Sequence, residues 1–264
     1  MNRVITLALA SVLVLGTACN DDETENTDET DVVEARLVSI TGGTSELLSG
    51  ANAQGLCAIA VDPADALDGK ELNVLGQTTV GADGTYTITD VDVDKAPLAI
   101  FVVIQDCNNE GTAFPTGTGI AAETYASAQA GDSFTRSAVW ISSATATGIN
   151  NSFAAANSTA TLADGAVMGL VYDSDGSTPV AGATVDCQGD GCDALEVFYA
   201  DTDSTDGIFS TAGVRNTETS ATGLVAIPSG PVANYGANAD GKTFSKSLFG
   251  SIEGLAAFTA WTAE

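Results

Sequence analysis

Residues 168–186 read MGLVYDSDGSTPVAGATVD. Met168 to Tyr172 are apolar or small, and Val171 and Tyr172 are the β-branched and aromatic types that fit a pleated, half-buried surface. Asp173-Ser174-Asp175-Gly176 then breaks the run. Asp and Ser side chains bond nearby backbone and Gly tolerates positive φ, so this tetrapeptide predicts a tight turn. Pro179-Val180-Ala181-Gly182-Ala183 follows and leads into a second strand at Thr184-Val185. Strand, Asp/Gly turn and strand in so short a span points to an all-β fold.

The same plan recurs upstream. Residues 36–51, RLVSITGGTSELLSGA, set Leu37-Val38 beside Leu170-Val171 and Gly50-Ala51 beside Gly182-Ala183. Residues 78–91, TTVGADGTYTITDV, parallel residues 218–230, ETSATGLVAIPSG, with Gly84 on Gly223 and Ile88 on Ile227. A repeat of this kind implies one supersecondary plan used twice. In the first copy Asp83-Gly84 supplies a turn. Tyr86 and Ile88 then point to one face while Thr85, Thr87 and Thr89 point to the other.

Further strands fill out both copies. PLAIFVVIQDC, residues 97–107, is nearly continuous apolar and predicts a central strand buried on both faces, ended by Asp106. TFSKSLFGSIEGLAAFTAW, residues 243–261, gives two more candidates around Gly250 and Gly254, and residues 135–148, TRSAVWISSATATG, hold a last strand of the first copy. The expected architecture is two tandem β-sandwich domains, 36–149 and 164–264, with a linker or short helix over 150–163.

The segment GLVYDSDGSTPVAGATV resembles the opening of carboxypeptidase regulatory-like domains, which share a transthyretin-like seven-strand sandwich. The later G-x-Y-x-I pattern, Gly84-Thr85-Tyr86-Thr87-Ile88, resembles that family's middle strands. The resemblance covers most of 164–264 and, more loosely, 36–107. It implies the Ig-like sandwich fold. Family members serve as stalks, surface modules and enzyme appendages, and some related sandwiches bind carbohydrate, so the fold alone transfers no activity. Some related sandwiches also form an internal Lys–Asn bond from a lysine on the first strand. The lysines here are Lys70, Lys95, Lys242 and Lys246, none is so placed, and no such bond is expected.

The N-terminus carries a second signal. After Arg3, the apolar run Val4 to Leu15 is too short to span a bilayer and fits an export signal. Gly16-Thr17-Ala18-Cys19 looks like a bacterial lipobox, in which the cysteine is acylated and becomes the new N-terminus. The box usually has Leu where Gly16 stands, and an ordinary signal with an incidental cysteine is the alternative. Residues 1–18 are thus read as a signal and Cys19 as the lipidation site. Between Asn20 and Ala35 stand eight acids and no base. Like charges repel and little apolar surface is present, so residues 19–35 are expected to form a disordered acidic tether.

Composition narrows the chemistry. The net charge of −27 opposes nucleic acid and anionic lipid and favours a soluble monomer. The chain has no histidine. That removes Ser-His-Asp and Cys-His catalysis, the usual zinc sites and most general-base chemistry at neutral pH. Beyond Cys19, four cysteines remain, Cys57, Cys107, Cys187 and Cys192. In an exported chain they predict disulfides, and of the three pairings Cys57–Cys107 with Cys187–Cys192 keeps each bridge inside one copy. Trp140 and Trp261 are expected at core or edge positions, without an aromatic cleft for sugar hydrolysis.

One cation site is a candidate. DTDSTDG, residues 201–207, sets Asp201, Asp203 and Asp206 beside Gly207, and alternate carboxylates in a loop can converge on calcium. DPADALDG, residues 62–69, sets Asp62, Asp65 and Asp68 likewise. The alternative is a solvated turn using Asp and Gly for their backbone habits, and apart from calcium no cofactor is expected. The sequence therefore predicts a non-catalytic module of a bacterial cell envelope, at the outer membrane, held by an N-terminal lipid. Its body would be structural or adhesive and meet a surface protein or, as the alternative, a glycan.

Overall fold

The computed structural model describes residues 34–67, 70–108, 110–202, 207–209 and 215–264. Ala35–Glu264 form one compact unit. The first part of the chain supplies β1 (Leu37–Glu46), β2 (Cys57–Asp62), β3 (Asn73–Thr79), β4 (Thr85–Asp92), β5 (Ala99–Gln105), β6 (Ala113–Phe114), β7 (Thr116–Ala121), β8 (Ser133–Thr135) and β9 (Ala138–Ser142). The second supplies β10 (Ala166–Tyr172), β11 (Thr184–Gln188), β12 (Phe198–Tyr199), β13 (Leu224–Pro228), β14 (Ala233–Asn238), β15 (Ser247–Phe249) and β16 (Ala256–Thr262). The fold is an all-β sandwich.

Among the described residues three sheets carry it. The largest has eight strands in the order β12-β13-β10-β16-β7-β5-β2-β3. A five-stranded sheet runs β4-β1-β9-β6, with β8 also on β1, and a three-stranded sheet runs β11-β14-β15. One face of the large sheet presents Ala58, Ala60, Ile100, Val102 and Ile104 to Ile40 and Ile88 of the five-stranded sheet. Further along that face, Met168, Ala226 and Phe258 meet Ile149 and Phe153 of the helix Ser143–Ala155. The opposite face packs Val167, Ile227 and Trp261 against Tyr235 and Ala237, and Ile59, Val61, Phe101 and Val103 against Ile252 and Leu255. The two copies foreseen in the sequence thus share one sheet: β16 runs parallel to β10 on one side and to β7 on the other.

Several of the strand and turn signals have a structural counterpart. β10 ends at the Asp173–Gly176 turn, which the Gly176 N–H closes onto the Asp173 carbonyl at 2.9 Å. The chain then crosses between layers, because β11 pairs with β14 rather than with β10. In β4, Tyr86 and Ile88 are buried and the three threonines face solvent. β5 lies between β2 and β7 with Ile100 to Ile104 all buried, as a two-faced central strand requires.

The repeat is real in three dimensions. β1 pairs antiparallel with β4 and parallel with β9, while β10 pairs antiparallel with β13 and parallel with β16. Gly84 and Gly223 precede β4 and β13 with φ of 79° and 65°, a region in which a Cβ is strained. The register differs from the sequence alignment. Thr85 stands opposite Gly43 and Leu224 opposite Leu170, so Gly43, not Leu37, is the counterpart of Leu170. β1 is ten residues long with a bulge between Val38 and Ile40, and β10 has seven, so likeness at the strand starts does not set the ladder. The helix also begins earlier than the 150–163 stretch. The Ser142 hydroxyl accepts the Thr145 N–H at 3.1 Å and caps it there, directly after β9.

Candidate functional site

Two loops and one tryptophan enclose a cleft of about 390 Å³. The first wall is the segment from Asn52 to Leu56, between β1 and β2. The second is the segment after β5, with Asp106, Cys107, Asn108, Glu110 and Thr112. The Cys57–Cys107 disulfide clamps the two walls together, with its Cα atoms 5.1 Å apart. It forms where the β2–β5 ladder ends, since Cys57 stands opposite Gln105. Trp140 of β9 completes the cleft.

Hydrogen bonds pre-form each part. The Ala53 N–H donates to the Thr44 hydroxyl at 2.9 Å and the Gly55 N–H to the Val80 carbonyl at 3.1 Å, which fixes the first wall. In the second wall, Asp106 accepts from the Thr112 N–H at 2.7 Å, the Ala113 N–H at 3.1 Å and the Thr112 hydroxyl. Burial alone would raise the Asp106 carboxyl; these donors outweigh it and hold it below its usual range. The Trp140 indole N–H donates to the Ala51 carbonyl at 2.9 Å, and its own carbonyl accepts the Leu47 N–H at 2.9 Å. The indole is therefore held in place and half-buried against the first core, together with Leu56.

Paired across the ladder with Trp140 is a buried carboxylate, Glu46, only 4% exposed. One oxygen accepts the Leu48 and Ser49 N–H groups at 2.9 and 2.7 Å and the Ser49 hydroxyl at 2.9 Å. The other accepts the Thr145 hydroxyl at 2.6 Å and the Ser142 N–H at 3.3 Å. Burial pushes this carboxyl up, but the donors from Thr145, Ser49 and Leu48 win and bring it from 4.5 down to about 2. Glu46 thereby ties the turn after β1 to the start of the helix, and its strand neighbour across the ladder is Trp140.

The residues foreseen from the sequence fall in several places. The four cysteines among the described residues form Cys57–Cys107 and Cys187–Cys192. Cys19 lies outside the described residues. Of the candidate calcium loop, Asp201 is described, and its N–H donates to the Ile208 carbonyl at 3.0 Å; Asp203 and Asp206 lie outside the described residues. In the matching loop Asp62 accepts the Ala64 N–H at 2.9 Å and Asp65 pairs with Lys70 at 3.2 Å, both local roles, while Asp68 lies outside. The remaining lysines also face aspartates: Lys95 to Asp92, Lys242 to Asp173 and Lys246 to Asp186. Trp261 is a core residue, and Trp140 is partly buried against the first core. Glu46, Gln54, Asn108 and Glu110 were not foreseen. The cysteine pairing is the one signal that could have drawn the loops around Cys57 and Cys107 together.

No protein-family model matches the chain, and no curated protein matches it. Solved structures similar to it include the shaft pilin SpaA of Lactobacillus rhamnosus GG, 10% identical with a TM-score of 0.24, covering 87% of this chain and 98% of the pilin. The Streptococcal ancillary pilin is 11% identical with a TM-score of 0.25, over 88% of this chain and 63% of that one. The minor pilin of Streptococcus agalactiae is 9% identical with a TM-score of 0.24, over 87% and 95%. Likeness at these values decides neither the strand connections nor the role of this chain.

Proposed function

We propose that this chain is exported, anchored by a lipid on Cys19, and acts as a non-catalytic structural or adhesive module of a bacterial cell envelope. The observation that carries the reading is the cysteine pairing. All four cysteines among the described residues are consumed in disulfides, which persist in oxidising compartments and are rare in the cytosol. The sequence ahead of Cys19 supplies the export signal, and two or more acyl chains hold a protein firmly. The acidic run from Asp21 to Glu34 would then space the body from the membrane.

The strand that receives the tether suits a mechanical role. β1 begins at Leu37 and is hydrogen-bonded on both edges, to β4 on one side and to β8 and β9 on the other. A pull on the tether along β1 loads many ladder bonds together instead of peeling an edge strand. The carboxypeptidase regulatory-like resemblance agrees with a stalk or surface module. Catalysis is not expected. The chain has no histidine, and Asp106 in the cleft is saturated by its own loop.

A second reading, glycan binding, is favoured by the cleft itself, which pairs one tryptophan with several amide side chains. Cell fractionation tests the first reading. The expected result is recovery in the envelope membranes with Cys57, Cys107, Cys187 and Cys192 oxidised. Recovery in the cytosol with these thiols free contradicts it. Protease treatment of intact cells then decides the side: a shaved body faces the medium, and a spared one faces the periplasm.

A further inference from the structure

The cleft has a chemical character that narrows its occupant. Its polar lining offers the amides of Asn52, Gln54 and Asn108, each of which can donate and accept. The heads of Gln54, Asn108 and Glu110 are exposed and make no hydrogen bond among the described residues. They are not needed to hold the fold. Asn52, by contrast, accepts the Gln54 N–H at 3.3 Å and braces the first wall. The lining adds a half-buried indole whose N–H is already spent on Ala51, so what it offers an occupant is apolar ring surface.

Charge removes one class of ligand. The cleft carries the carboxylates of Asp106 and Glu110 and, among the described residues, no Lys or Arg, on a chain of net charge −27. An anionic ligand would meet two carboxylates and no cationic partner there. A neutral polyhydroxylated ring fits each feature. Its hydroxyls match groups that donate and accept, and its C–H face matches the apolar ring surface of an indole. A volume of about 390 Å³ lies within the range of small-molecule sites, ~300–1,000 Å³. The wall backbone is held by a disulfide and by hydrogen bonds, so the ordering required on binding is confined to the exposed side chains.

We propose that this cleft is a binding site for a neutral saccharide, stacked on Trp140 and held by the free heads of Gln54 and Asn108. The proposal rests on the glycan-binding reading and deepens it by naming the site and the class of sugar. Intrinsic fluorescence gives a direct readout, because Trp261 is 1% exposed in the second-half core while Trp140 borders the cleft.

The test titrates the purified protein with a panel of neutral oligosaccharides (glucans, mannans, galactans, chitooligosaccharides), with uronate- and sialate-bearing ones, and with polylysine. The expected result is that at least one neutral oligosaccharide binds and shifts the tryptophan emission, and that acidic ones do not bind. Gln54→Ala and Asn108→Ala should each weaken binding about 5–10-fold, the loss of one hydrogen bond, with unchanged melting temperature. Trp140→Phe should weaken it and abolish the emission shift. Binding by no saccharide overturns the glycan reading and this proposal with it. Binding unaffected by all three substitutions leaves the glycan reading standing and overturns the site. Binding confined to acidic saccharides or to polylysine overturns the neutral class.

Discussion

Glu46 concentrates the physics of this fold in one side chain. It is a buried carboxylate, which would be costly alone, yet five donors converge on it. Its folded value of about 2 lies below the 4.5 of the free group. The sign follows: its contribution is complete above pH 4.5 and is lost as the pH falls through 4.5 toward 2. The span corresponds to roughly 3 kcal/mol. Glu46→Gln should cost roughly 2–3 kcal/mol at pH 7, since buried donors then face a weaker acceptor. In urea melts taken from pH 7 to pH 2, the gap between wild type and variant should close as the pH falls. A gap that stays constant would show that the carboxylate charge contributes nothing. The other carboxylates, Asp106 and Asp175 among them, are common to both proteins and cancel in the difference.

The two disulfides join very different lengths of chain, 50 and 5 residues apart. Loop-closure entropy gives about 4 kcal/mol for the longer and about 2 kcal/mol for the shorter. The double substitution Cys57→Ala, Cys107→Ala should therefore destabilise roughly twice as much as Cys187→Ala, Cys192→Ala in denaturant melts, and equal losses would count against the entropic account. The first pair should also loosen the cleft, because Cys57–Cys107 joins its two walls. At this scale much was legible in the sequence. Local chemistry sets the Asp173–Gly176 turn, the alternation of β4 and the apolar run of β5, and local chemistry can be read along the chain. The cleft could not be read that way. Gln54, Asp106 and Trp140 lie far apart in sequence, and Asp106 on its own reads only as the end of a strand. The start of the helix was missed because Ser143, Thr145 and Thr147 favour caps, strands and turns, and the Ser142 cap overrides that preference.

Strand order across the whole body was the least legible feature, because nothing local specifies that β16 inserts between β10 and β7. Its consequence is mechanical unity. The residues 35–264 have cores that mix both copies: Ile141 and Phe153 pack with Phe198 and Phe258, and Ile59 and Phe101 pack with Ile252 and Leu255. Unfolding either copy would strip a sheet edge and a core face from the other. Calorimetry should accordingly give one endotherm whose calorimetric and van't Hoff enthalpies agree; two resolved endotherms would mean that the shared sheet couples the copies weakly. The body would then reach its envelope as one piece, held by whatever is attached ahead of β1. That attachment is decided by mass spectrometry of the N-terminal peptide, taken from protein extracted from the membranes of a bacterial host. The expected peptide begins at Cys19 and carries the added mass of its acyl chains. A peptide beginning elsewhere, or an unmodified Cys19, would contradict the lipid-anchored module proposed here.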